Sequence, residues 1–224
     1  MSHGGALFEI GPIQVTSVMT TSLAITVIVS AIAILGTRNL KVKNPGRGQK
    51  TLEYIAGGLR DFYAQILGKE RATAFMPVLG TMFIFILLSN YSGLLPGAGK
   101  IPGFQPPTGH LGTTVGLAMI TFFTVHISGF RYNGAHYLGR FVKPVFFMLP
   151  LLLLEEVIHP LSLSLRLYGN IYGEETVLEK ISELIPLLAP AIIMGLSLLF
   201  GFIQALVFTM LSVIYIEEAT VLEE

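Results

Sequence analysis

In SLSLRLYGNIYGEE, residues 162–175, an arginine, an asparagine and two glutamates interrupt one of the most apolar neighbourhoods of the chain. A charged side chain at the centre of a bilayer costs about 2.5–3.5 kcal/mol on insertion, so such residues mark ion routes or partner contacts more often than decoration. Guanidinium also stays charged when desolvated, where a lysine could shed its proton. Arg166 therefore supplies a permanent cation. On a helix, positions separated by 4, 7 or 11 residues project within about 40° of one another. Measured from Arg166, that face collects Glu155, His159, Ser162 and Asn170 into one polar stripe. Glu175, nine positions on, projects to the opposite side at about 100° per residue, provided the helix stays regular through Gly169 and Gly173. Two structural alternatives stand beside an ion route: Arg166 paired internally with Glu155, or Arg166 snorkelling to the interface.

Further along, Gln204 in LLFGFIQALVFTM is the strongest polar side chain of its run, with Ser197 seven residues earlier on the same helical face. A lone glutamine of this kind is often interhelical glue. Glu174, Glu175, Glu179, Lys180 and Glu183 form an acidic cluster that reads either as a solvated turn or as the mouth of an aqueous path. Enzymatic motifs are lacking: no HExxH, GxSxG or P-loop pattern occurs, and the five histidines are scattered. His159 one turn after Glu155 falls short of a closed metal site, so neither a metal nor another cofactor is expected. His3, His110, His126 and His136 read as interfacial or packing residues.

The elements that must carry these residues are membrane helices. Of 224 residues 52% are hydrophobic and only 12% charged, against roughly 25% charged in an ordinary soluble domain. The 14 basic and 14 acidic residues cancel, so no global field favours nucleic acid. Cysteine is absent, which removes thiol chemistry. The N-terminal stretch MSHGGALFEIGPIQ has no Lys or Arg and lacks the basic region of a secretory signal, so the first apolar run is read as retained. Apolar runs at about 13–37, 72–96, 112–130, 144–173 and 184–216 are each long enough to span, within a single integral membrane domain covering 1–224. The expected fold class is an all-α membrane protein.

Arg38, Lys41, Lys43, Arg47 and Lys50 follow the first run, only Lys100 the second, and Arg131, Arg140 and Lys143 the third. The positive-inside rule then puts the N-terminus outside and the C-terminus in the cytoplasm. Between the first two spans Leu52, Ile55, Leu59, Phe62 and Ile66 recur at helical spacing, which predicts an amphipathic helix over about 51–67, lying at the interface or packed on its own loop. The last run, 33 residues, would extend about 50 Å against a hydrocarbon core of about 30 Å. Either Pro186, Pro190, Gly195 and Gly201 break it, or it lies steeply inclined. The run at 144–173 poses the same problem, and together they suggest a long tilted hairpin.

Several segments resemble subunit a of the F-type ATP synthase: PLSLSLRLYGN (160–170) followed by YGEE, IQALVFTMLSVIYI (203–216), LLSNYSGLLP (87–96) and PPTGHLGTT (106–114). The resemblance implies a stator subunit of the membrane motor, with no catalytic site of its own, coupling proton flow to rotation and ATP synthesis. It implies that Arg166 faces the ring of c subunits and separates two aqueous half-channels, that Asn170 and Gln204 line the same contact, and that Glu175 is the acid of the outer half-channel. Glu155 matches an acid preceding the arginine motif, while His159, Ser162 and Ser197 join the translocation set by position. Implied partners are the c ring, the peripheral-stalk b subunits, the catalytic head indirectly, and lipid. A bacterial plasma membrane is the preferred location. Two departures stand out: PPTGHLGTT has His110 and Gly112 where PPTADLNTT is frequent, and Ser197 stands where some relatives carry a histidine partner of the acid at 175. Without the resemblance, a small-anion transporter or channel using Arg166, or an intramembrane hydrolase using His159 and Glu155, would be rivals.

Overall fold

A computed structural model of the chain describes residues 6–10, 13–38, 46–95, 105–134, 136–137, 149–184 and 188–221. Among the described residues a short antiparallel hairpin, β1 (Ala6–Ile10) and β2 (Ile13–Thr16), precedes six long helices. They are α1 (Ser17–Thr37), α2 (Arg47–Leu67), α3 (Lys69–Ser92), α4 (Leu111–Asn133), α5 (Leu149–Leu184) and α6 (Leu188–Thr220). A single 3-10 turn, Pro107–Gly109, leads into α4. The fold class is the expected all-α membrane one, with the hairpin as the unforeseen element.

Among the described residues four helices are long and apolar enough to cross a membrane: Ser17–Thr37, Lys69–Ser92, Leu111–Asn133 and Ile192–Thr220. α5 is not among them, for a compositional reason. Glu155, Glu156, Arg166, Glu174, Glu175, Glu179 and Lys180 lie along its 36 residues and dilute the leucines. The starting residues of the fourth apolar run, 144–148, and Pro186 lie outside the described residues, as do 39–45, 96–104 and 138–148 of the connecting loops.

Over the described residues neither α5 nor α6 is broken. α5 passes through Pro160 and through Gly169 and Gly173, and α6 through Gly195 and Gly201, without interruption. At about 1.5 Å per residue they measure about 54 and 50 Å, well beyond the thickness an upright helix would cross. Gly201 serves close approach rather than breakage: a Cβ there would lie 3.2 Å from Asn90 Cβ and 3.3 Å from the Tyr91 ring. Across that contact Asn90 Nδ2 donates to the Gly201 carbonyl (3.0 Å) and Tyr91 Oη to the Leu198 carbonyl (3.2 Å).

Two apolar clusters hold the bundle. One joins Tyr63 and Leu67 of α2 to Leu79 of α3, Val125 of α4 and Val213 and Ile216 of α6. The other joins Met82 and Ile86 of α3 to Leu117 of α4, Leu163 and Leu167 of α5 and Phe208 of α6. The amphipathic helix begins at Arg47, earlier than its apolar pattern; Tyr63 and Leu67 at its C-terminal end are buried, while Leu52 and Ile55 stay largely exposed, Leu52 lying against Gly36 of α1. Gly68 turns the chain from α2 into α3 at φ +75°, a left-handed conformation that favours glycine. Hydroxyls inside the bundle donate back to their own helix, as Thr209 Oγ1 does to Ala205 O (3.0 Å) and Ser212 Oγ to Phe208 O (3.0 Å), which is how such groups are satisfied without water.

Candidate functional site

The polar stripe of α5 has the geometry its spacing implies, because the helix runs unbroken from Glu155 to Glu175. Arg166 is exposed and forms no ion pair with an acid among the described residues. The internal pair with Glu155 is not made. Glu155 Oε1 instead approaches His159 Nε2 at 3.8 Å, one turn along the same helix. The His159 ring stacks on Tyr215 of α6, with centroids 4.2 Å apart and planes 13° from parallel. Tyr215 in turn lies within electrostatic reach of both Arg166 and Glu155. α6 thus covers His159 with an aromatic ring and leaves Glu155 and the arginine exposed.

Behind that stack is a pair that sequence reasoning missed. His126 of α4 presents Nε2 to Glu156 Oε2 at 3.7 Å, and its Nδ1 lies 2.9 Å from the Phe122 carbonyl. A carbonyl only accepts, so Nδ1 carries the proton and the other nitrogen faces the carboxylate. His126, Glu156, His159 and Tyr215 share a pocket of about 20 Å3 among α4, α5 and α6, room for about one water. The available signal was the second acid of the Glu155–Glu156 pair, which must point away from the stripe; its partner on α4 has no sequence signature.

Beyond Arg166 the stripe continues as Asn170 and Glu174, four residues apart. Asn170 Nδ2 donates to Glu174 Oε1 at 3.0 Å, and the Ser197 hydroxyl of α6 stands beside the same carboxylate. Ser197 thus lies on the Glu174 side of the cavity, whereas the resemblance pairs its position with Glu175. Together with Gly169, Gly173 and Phe200 these residues line a cavity of about 400 Å3 between α5 and α6. Gln204, two turns further along α6, is buried, and its Nε2 has no partner among the described residues.

Glu175 lies on the other side of α5, as its nine-residue separation from Arg166 requires. Its Oε2 would be 3.4 Å from a Cβ at Gly109, so it faces the Pro107–Gly109 turn. The loop PPTGH, notable by sequence only for its departures, is thereby brought against the acid. In that turn Thr108 is fully buried, and its hydroxyl has no partner among the described residues. Ser162 lies half-buried on the stripe. Among the described residues no group of three or more His, Asp or Glu is arranged to hold a metal.

The profile of the family described as "ATP synthase A chain" matches residues 18–217. Proteins called ATP synthase subunit a are similar to most of the chain. That of Moorella thermoacetica is 39% identical over 211 residues, covering 94% of this chain and 93% of the relative. Those of Geobacter sulfurreducens and Geotalea daltonii are 39% and 40% identical over 190 residues, covering 83% of this chain and 80% of each relative. The extent of these matches, which include the arginine stripe and the α6 segment facing it, shows that the chain belongs to the ATP synthase A chain family.

Proposed function

We propose that this chain is the proton-translocating stator subunit of an F-type ATP synthase, providing two aqueous half-channels to a ring of c subunits and the arginine that separates them. The observation that carries this reading is Arg166, an exposed permanent cation on a polar helical stripe with no acid paired to it among the described residues. A charge so placed needs a counter-ion from another molecule. A carboxylate on a passing ring answers that need.

A proton from outside reaches a ring carboxylate through the path near Glu175, travels almost a full turn through lipid, and leaves by the second half-channel. At Arg166 the fixed positive charge favours the ionised carboxylate and so favours release. It also opposes direct passage of a proton between the half-channels. Rotation is then the low-energy route, driven by about 2.3 kcal/mol per charge per 100 mV of membrane potential. Asn170 and Gln204 border the contact, with Ser162, Ser197, His159 and Glu155 along its length. The chain forms a single integral membrane domain in a bacterial plasma membrane, N-terminus outside and C-terminus cytoplasmic. Its partners are the c ring, the b subunits of the peripheral stalk, the catalytic head indirectly, and lipid. No phosphoanhydride bond is made in this subunit.

The test has two parts. Mild-detergent purification of the tagged chain should recover an ATPase head and a c ring, and recovery of the chain alone with small-anion uptake would replace this reading by a transporter. In the assembled complex Arg166→Ala should reduce ATP-driven proton pumping to background, read as acidification of inverted vesicles; normal coupled pumping would sink it.

A further inference from the structure

We propose that the outer half-channel crosses α5 in two steps, with Glu175 receiving the proton on the loop side and Glu174 delivering it on the side of Arg166. This inference rests on the reading of the chain as a proton-translocating stator. The two acids are consecutive, so their side chains leave the helix about 100° apart and address different spaces. Glu175 faces the Pro107–Gly109 turn, where a Cβ at Gly109 would stand 3.4 Å from its Oε2. Glu174 opens into the cavity of about 400 Å3 between α5 and α6, which also holds Asn170 and Ser197. Neither acid alone joins the loop side to the ring side.

Two observations independent of the acids point to an ion path. On the loop side the Thr108 hydroxyl is fully buried without a partner among the described residues, a group that a water reaching Glu175 would satisfy. On the other side Gly169 and Gly173 line the cavity, and a Cβ at either would meet nothing within 4 Å. The helix surface between Glu174 and Arg166 is thus bared where water must pass. Asn170 bonds the Glu174 carboxylate and Ser197 lines the same cavity beside it, which holds the acid there with neutral groups.

The proton balance is simple. The Glu175 carboxyl gives its proton to Glu174 through intervening water, and is reprotonated from outside. Glu174 passes the proton to a ring carboxylate and returns to its ionised form. One proton enters for each one delivered, and no co-reactant is consumed.

Serial steps predict a non-additive double variant. In the assembled complex, ATP-driven pumping and passive conductance of the head-stripped membrane sector should fall at least about tenfold in Glu174→Gln, a modest loss for a positioned proton-transfer group. Glu174→Asp should recover part of the flux. Glu174→Gln with Glu175→Gln should be no slower than Glu175→Gln alone. Parallel routes, in which each single variant stays near the parent and only the double stops, would overturn the relay, as would parental flux in Glu174→Gln. Should Glu174→Gln not assemble, Val177→Cys on the cavity wall can be modified after assembly with a charged methanethiosulfonate. Flux should drop on labelling; confirmed labelling with unchanged flux would overturn the relay. Loss of coupling in Arg166→Ala beside parental flux in Glu174→Gln would refute the relay alone, whereas coupled pumping in Arg166→Ala would refute the stator reading beneath it.

Discussion

The two halves of α5 carry similar side chains in different surroundings. Toward Leu149, Glu156 and His159 pack beside His126 and Tyr215 with about 20 Å3 left among them, while Glu155 stays exposed on the stripe. Toward Leu184, Asn170, Glu174 and Ser197 line about 400 Å3, and two glycines leave the helix bare. The first arrangement can move a proton only by side-chain contact or through about one water, whereas the second admits a chain of waters. The contrast teaches that acid content along a membrane helix says little about aqueous access. What decides it is the size of the neighbours on the facing helices.

The contrast can be broken most directly at its roomy end. Glu175→Gln should lower proton flux about a hundredfold, the low end of what a positioned proton-transfer group contributes, while the complex still assembles. Vesicle acidification by the assembled variant checks this, and flux equal to the parent removes Glu175 from the path. Next in size, Gly173→Leu should cut flux about tenfold by filling the cavity while slightly raising the melting temperature of the complex, since glycine costs about 0.5–1 kcal/mol inside a helix. Loss of flux accompanied by a lower melting temperature would mean that the cavity is structural.

At the tight end the signs reverse. Ala118, which lines the small pocket and is 1% exposed, has no room to grow, so Ala118→Leu should destabilise by about 1–3 kcal/mol. Thermal unfolding measures it, and a neutral result would show the pocket to be as open as its counterpart. Smallest of all, His159→Phe keeps the stack on Tyr215 and deletes only the approach to Glu155, so pumping should fall about twofold, as for a weak ion pair. A collapse of pumping would instead make the packed end a principal proton route.

Much of this was legible from residue spacing. The stripe from Glu155 through Arg166 to Asn170, and the opposed direction of Glu175, follow from helical arithmetic once the helix is unbroken, and Gly169 and Gly173 do not break it. What spacing could not supply is which neighbour reaches each group. Ser197 shares a cavity with Glu174, and Glu155 approaches His159 rather than Arg166, because those choices depend on how α6 lies against α5. His126 with Glu156, and Gly109 beside Glu175, join segments far apart in sequence with no motif between them. The N-terminal hairpin escaped for the opposite reason: its residues 6–16 are few and their pattern is too short to separate from the apolar run that follows.

The contact of Gly201 with Asn90 and Tyr91 has a mechanical side. In the stator reading proposed above, a rotor sweeping past the hairpin would push it sideways, and a long helix held only by apolar side chains would slide under that load. Asn90 and Tyr91 grip carbonyls one turn apart on α6, so shear along the helix axis must stretch two hydrogen bonds at once. In that reading α3 is a buttress, taking the load through two polar grips on the α6 backbone as well as through apolar contacts.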